Sequence, residues 1–437
     1  MKSFTLKDEN GKFYYGWVIV LVAGLLCGLV YSGIVSVTGI FLLPVTMELE
    51  LPIGGYSFYL TIMSIANMLT LLVISKFLNE KNIKKIMIAA AICGVISFIG
   101  FAMAKSLLWF YIFAVPQGFC MGAFTMTPAQ ILVSNWFGEK VRGRAMSIFL
   151  AIMSVITVIL MNVLNRVVLT MGWSRGYMVL AVCVAVCGVV AACTIVWSPV
   201  QKGVKRIGDL DESELAAMAG REIKGTSFLT AIKKPVTWLA FISTTLAVIV
   251  SSSILQHGIA TIVMSGKMDQ TAATGLVSTM SLIMIITGPI VGVVCDKFRL
   301  QVAAVGTSLF FAMAVFGLAF VGSSWGIPAF VLGYMFGVPA INIISPLIMS
   351  YMYGEKDLGK LISYVNVFVA VGGAIGAAAV GALVQAYGTY FMPWIIMTVV
   401  LLAVAVIRGV CTAKGRRFNP ETDAEGGETQ TFERRRT

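Results

Sequence analysis

Apolar runs long enough to cross a bilayer alternate with short polar turns along most of the chain. A crossing helix needs roughly 20 apolar residues. On that measure twelve helices are predicted, near 15–43, 55–78, 84–104, 107–137, 144–165, 174–197, 236–264, 270–295, 302–322, 326–352, 361–386 and 390–411. The even number puts both ends of the chain on one side. One long polar stretch, Pro199 to Pro235, divides the twelve into six and six, and within it 209–223 has the acidic start of a short helix lying outside the bilayer. The pattern predicts an all-α integral membrane protein: a polar N-terminus (1–14), a six-helix half (15–198), a linker (199–235), a second six-helix half (236–412) and a disordered polar tail (413–437).

The two halves repeat one another. Asn135 to Ser147 contains Phe137-Gly138-Glu139-Lys140 with Arg142, Gly143 and Arg144, and Tyr353 to Ser363 contains Tyr353-Gly354-Glu355-Lys356 with Gly359 and Lys360. The offset is 216 residues without a gap, and it also carries Glu80-Lys81 onto Asp296-Lys297. One membrane unit is written twice.

Composition supports the membrane reading and narrows the partners. With 58% hydrophobic and 12% charged residues and a mean hydropathy of +0.91, a water-soluble fold would lack a polar surface. The net charge of +12 could suggest nucleic acid, but 28 of the 32 Lys and Arg fall on the side of the termini, leaving Lys105, Arg166, Arg175 and Lys267 opposite. By the positive-inside rule the termini are cytoplasmic and the protein sits in the plasma membrane. The eight cysteines lie in or beside apolar runs, with no Cys-x-x-Cys, and read as packing residues. No metal, cofactor or nucleic-acid partner is expected, and no nucleotide loop or nucleophile triad points to an enzyme. Membrane lipid is the one partner besides a small-molecule substrate, and the chain is expected to act as a monomer.

Twelve spans in two parallel halves, with a charged turn after the second span of each, resemble the major facilitator superfamily. That family's turn runs Gly-x-x-x-Asp-Arg-x-Gly-Arg-Arg. Here Gly292, Asp296 and Lys297 keep its glycine, acid and base, while Arg299, Leu300 and Gln301 depart from it. In the first half Lys76 replaces the glycine, and Glu80, Lys81, Lys84 and Lys85 keep the charges. The resemblance implies a gating latch of Glu80, Lys81, Asp296, Lys297, Arg142 and Arg144. In it Glu80 faces the helix starting near Gly359 and Asp296 the one starting near Gly143, each acid releasing that helix when the inside gate opens. Tyr15-Gly16-Trp17, Trp136-Phe137 with Arg142-Gly143-Arg144-Ala145, and Ala231 to Trp238 are similar to the monocarboxylate transporter and oxalate/formate antiporter branch. That branch holds small organic anions with basic side chains in the later spans. The eighth and eleventh spans of this chain carry no Lys or Arg, so the likeness implies the lineage and not the carboxylate.

Ionisable groups at depth are costly and mark function by default. His257, in the outward part of the seventh span beside Gln256, is the clear instance. It can carry a coupled proton or, when protonated, draw an anion; a histidine bonded to a neighbouring helix would read the same. No Asp or Glu sits mid-span, which argues against cationic substrates. Neutral polar residues remain for a midplane site: Tyr31, Ser32, Asn67, Gln117, Thr127, Asn162, Asn342 and Asn366, each of which could equally be an interhelical hydrogen bond. The predicted substrate contacts are Tyr31, Gln117, Asn162, Gln256, His257, Asn342 and Asn366. Four Gly-x-x-x-Gly pairs, at Gly118, Gly288, Gly333 and Gly372, predict close helix packing, and Pro128, Pro289, Pro339 and Pro346 predict interruptions near the cavity.

The expected function is secondary transport of a small monocarboxylate-like anion by alternating access, with proton symport or anion exchange. The alternatives are a proton-coupled exporter of a hydrophobic or neutral molecule and, more distantly, a transport-inactive solute sensor.

Overall fold

The computed structural model describes residues 13–77, 79–208, 225–354 and 356–415. The helix predicted over 209–223 and the tail beyond 415 lie outside them. Among the described residues twelve helices are long and apolar enough to span a membrane. The first half contains α1 (Gly16–Glu48), α2 (Ile53–Phe77), α3 (Ile83–Ala102), α4 (Leu107–Trp136), α5 (Glu139–Met171) and α6 (Trp173–Thr194). The second contains α7 (Pro235–Met264), α8 (Gln270–Lys297), α9 (Leu300–Ala319), α10 (Gly326–Tyr353), α11 (Leu358–Tyr387) and α12 (Phe391–Gly415).

Local chemistry fixes where the helices begin, end and break. Pro235 opens α7 at the position where a missing N–H costs nothing. The Asp269 side chain caps α8 by accepting from the Ala272 N–H at 2.8 Å. Two tight reversals, α5 to α6 and α11 to α12, turn on Gly172 (φ 88°) and Gly388 (φ 68°), left-handed positions that disfavour any side chain. Pro128 breaks α4 at Thr125, because its ring collides with the carbonyl four residues back, that of Phe124. Pro289, Pro339 and Pro346, predicted as interruptions, sit inside continuous helices. The break in α1 was not foreseen: Cys27–Tyr31 forms a π-helical turn, and the helix restarts at Thr38.

Three of the four glycine pairs pack as predicted. A Cβ on Gly118 would lie 2.3 Å from the Met63 carbonyl of α2, one on Gly333 2.3 Å from the Phe310 carbonyl of α9, and one on Gly376 2.3 Å from the Ile249 carbonyl of α7. Gly288 and Gly292 face open space. The eight cysteines are all unpaired.

The two halves meet chiefly on the side away from the linker, here called the far side. In α1, Gly39 lies so close to α7 that a Cβ would sit 2.8 Å from the Leu255 carbonyl, and Gly54 of α2 meets Gly381 of α11. Thr61 Oγ1 donates to the Ala374 carbonyl at 2.5 Å. Between α5 and α8, Asn162 Nδ2 donates to Ser278 Oγ at 3.2 Å, and Asn165 bonds Thr271 and Thr274. The apolar core follows the same division. One large cluster joins the first half to the far-side parts of α7, α9, α10, α11 and α12. A separate cluster, with Phe241, Ile344, Ile348, Met352 and Leu361, is confined to the linker-side end of the second half.

Each end of the linker docks on one copy of the repeat. Ile207 forms a single β-bridge with Phe137, and Gly225 forms one with Gly354. Gly138 N donates to the Ile207 carbonyl at 2.8 Å, and Thr226 N donates to the Tyr353 carbonyl at 2.8 Å. Arg206 secures the first contact by donating to the Ser134 and Phe137 carbonyls. Asp357 secures the second by accepting from Phe228 N at 2.8 Å.

Candidate functional site

A transport site in such a fold lies between the halves near the midplane, so the predicted residues are taken there in turn. Asn366 lies on α11, eleven and fifteen residues before Ala377 and Gly381, and therefore on the face that meets the first half. It is nearer the linker side than they are, and it is exposed. Asn342, midway along α10, is exposed as well, and Tyr31, on the π-helical turn of α1, is half-buried. A π-helical turn inside an α-helix commonly accompanies a functional position. These three are accessible uncharged polar groups at depth.

The remaining predicted contacts are otherwise placed. Asn162 is exposed but spends its amide on Ser278 and on its own Val158 carbonyl. Gln117 is buried, and its Oε1 has no partner among the described residues. Gln256 is buried in the far-side seam with neither amide atom partnered among the described residues.

His257 is fully buried. Its Nε2 lies 2.9 Å from the Ala377 carbonyl, which can only accept, so Nε2 carries the hydrogen and Nδ1 accepts from Tyr390 O–H at 3.2 Å. Ser57 Oγ of the opposite half lies 3.4 Å from Nε2. In this conformation the ring expected to contact substrate stands in a packed seam of α2, α7 and α11, with both nitrogens engaged.

Of the latch residues, Glu80 accepts from Gln201 Nε2 of the linker at 2.6 Å, beside its own half. Lys81, Lys297 and Arg144 are exposed, and Arg142 is half-buried. The Asp296 side chain lies outside the described residues.

Two features escaped the sequence reading. Arg408 of α12 is buried, and its Nη1 donates to Ser308 Oγ of α9 at 3.1 Å. Its signal was a base inside the last apolar run. The Tyr390 and Ser57 partners of His257 had no signal, since each is an ordinary polar residue at a span end.

The model of the Major Facilitator Superfamily matches residues 20–354 and 236–435. The chain belongs to that superfamily. It is a multi-pass membrane protein, and family and fold point to a secondary transporter and not to an enzyme. Solved structures share the fold at low identity. A bacterial homolog of the human lysosomal transporter Spinster, inward-facing and unoccupied, aligns at TM-score 0.74 and 13% identity over 93% of this chain and 98% of that one. The D-xylose-proton symporter aligns at TM-score 0.66 and 13% identity over 94% and 98%. The nucleoside transporter NupG aligns at 0.66 and 13% over 91% and 98%. None of the curated proteins compared with the chain matches it.

Tyr15, Trp17, Trp136, Phe137 and Trp238, among the residues that suggested the monocarboxylate branch, pack the linker-side ends of the helices. Tyr14 O–H donates to the Trp136 carbonyl at 2.7 Å, and Tyr15 and Trp17 lie against Trp136 and Phe137 with ring centroids 5.5 and 4.8 Å apart. Trp238 Nε1 donates to the Ile232 carbonyl at 2.8 Å at the entry to α7. These roles are structural and carry no substrate information.

Proposed function

We propose that this transporter works by alternating access and that its site takes a small uncharged polar or amphipathic molecule. The observation that carries the reading is the character of the accessible groups at depth: Tyr31, Asn342 and Asn366 are neutral, while His257 is committed to the far-side seam. Buried amides and phenols bind sugar or nucleoside hydroxyls and ring nitrogens well, whereas an anion without a fixed positive partner loses its hydration uncompensated. D-Xylose and nucleosides, named for two of the fold's neighbours, are molecules of this kind. The monocarboxylate expectation gives way because the basic anchor it required, a protonated His257 facing the pathway, is not what supports the site.

With the termini in the cytoplasm of a plasma membrane, as the loop charges support, the joined far side faces outward and this conformation is inward-open. His257 then belongs to the outer gate. It meets water when that gate opens, and proton coupling, where present, runs through that exposure.

A thermal-shift screen of the purified protein tests the substrate class, since a ligand at 100 times its dissociation constant stabilises by ~2.7 kcal/mol. Sugars or nucleosides should raise the melting temperature, and Asn342→Ala with Asn366→Ala should abolish the rise. Stabilisation by small carboxylates alone would restore the anion reading.

A further inference from the structure

We propose that a groove between α8, α9 and α10, near their linker-side ends, holds an anionic phospholipid, with an acyl chain in the groove and the phosphate at Lys297 and Arg299. The cavity is about 310 Å³ and is lined by apolar groups including Val291, Val294, Val302, Gly306, Phe310 and Phe336. A second hollow of about 370 Å³ adjoins it, sharing Val294 and Phe298, and Lys297 lines this one. Together they form one open apolar groove with Lys297 at its edge.

Three observations select the occupant. The rim is apolar and open: Val302 is 59% and Phe310 44% exposed, on a helix long and apolar enough to cross a membrane, and Phe298, in the turn before it, is 55% exposed. A soluble ligand has no reason to enter there, while an acyl chain is already present at that depth. Among the described residues no helix fills the space either: a Cβ on Gly306, in the groove wall, would meet nothing within 4 Å.

The third observation is charge. The turn joining α8 to α9 carries Lys297 and Arg299, both exposed, against one acid, Asp296. Arginine and lysine at the end of a span reach the headgroup layer, and a net positive turn there favours an anionic phosphate over a zwitterionic headgroup. The apolar groove supplies tail binding, and the two bases supply headgroup choice. This site is separate from the one between the halves and does not depend on the substrate reading.

The test is native mass spectrometry of the full chain, delipidated in detergent and mixed with phosphatidylglycerol or phosphatidylcholine at equal concentration. The expected result is retained phosphatidylglycerol, at least tenfold over phosphatidylcholine, unaffected by excess inorganic phosphate. The double variant Lys297→Ala with Arg299→Ala, at exposed positions, should lose the preference between the lipids. Gly306→Leu, which places a side chain in the open groove, should lose both lipids. Equal retention of the two lipids by the wild type, or unchanged phosphatidylglycerol binding in Gly306→Leu, would overturn the proposal. So would a dimer mass that collapses in Gly306→Leu without any change in bound lipid, since a second copy would then be the occupant.

Discussion

A methyl group at Gly39 should push the two halves apart on the far side. The Cβ of Gly39→Ala would stand 2.8 Å from the Leu255 carbonyl oxygen and 3.1 Å from that of Gln256, both backbone atoms of α7 in the opposite half. Ordinary contact begins at 3.4 Å, so the chain must yield by roughly 0.6 Å against a helix backbone, which cannot rotate away as a side chain can. Overpacking of this kind costs about 1–3 kcal/mol. Only the state joined on the far side bears it, because once that side opens the methyl meets no partner. A differential of that size shifts the balance roughly 5- to 150-fold toward the far-side-open state. The shift is readable from Ser57→Cys, a buried position in the same seam, reacted from outside with an impermeant maleimide and corrected for the native cysteines. Gly373→Ala is the control, since its Cβ would meet nothing within 4 Å. Equal labelling rates in the two alanine variants would refute the one-sided closure argued here.

Three more predictions probe the seam and the linker. Gln256→Leu removes two buried, unpartnered amide atoms, whose burial costs ~1–3 kcal/mol; it should slow the same Ser57→Cys labelling, and faster labelling would contradict it. His257→Ala strands the Tyr390 hydroxyl and should lower thermal stability by about 1–3 kcal/mol while removing any pH dependence of transport; retained pH dependence would reject the gating role. Asp357, outside the spans, is held below its ordinary 3.8 first by the Phe228 N–H and then by Lys360. A depressed carboxyl stabilises above its unfolded value and stops doing so as pH falls through the folded one, so the protection factor for hydrogen exchange at 226–232 should hold near neutrality and fall only in acid below pH 3.8. Asp357→Ala should show the lowered protection factor at every pH.

The architecture was legible because a bilayer imposes it. Without water to satisfy backbone groups, each apolar run of sufficient length must be a helix, and twelve such runs with an internal repeat leave little else to form. Close-packed glycines at Gly118, Gly333 and Gly372 were legible from spacing alone, but Gly288 and Gly292 share the spacing and meet nothing. Spacing says that a helix can approach there; the neighbour decides whether one does. The proline breaks have the same limit. Pro128 interrupts its helix, whereas Pro289 sits inside a continuous one, so a proline alone does not say whether its helix breaks.

The site was less legible, for a reason that His257 and Asn366 make concrete. Both are polar residues in apolar helices, and in sequence the histidine is the stronger candidate because it titrates. Their positions relative to the seam differ. His257 lies where the halves are joined and is consumed by Ala377 and Tyr390, while Asn366, on the α11 face that meets the first half, lies where they part and stays exposed. Which part of a face is sealed depends on the conformational state, a property of the pair of halves and of neither helix alone. The repeat shows the converse. Its charges suggested a latch, yet the backbone of each copy, at Phe137-Gly138 and at Tyr353-Gly354, is bridged to one end of the linker. A duplicated unit in which each copy holds one end of the connecting segment ties that segment to both halves. Two copies then serve where one would leave an end of the linker unheld, and that accounts for the uncharged part of the repeat that a latch does not require.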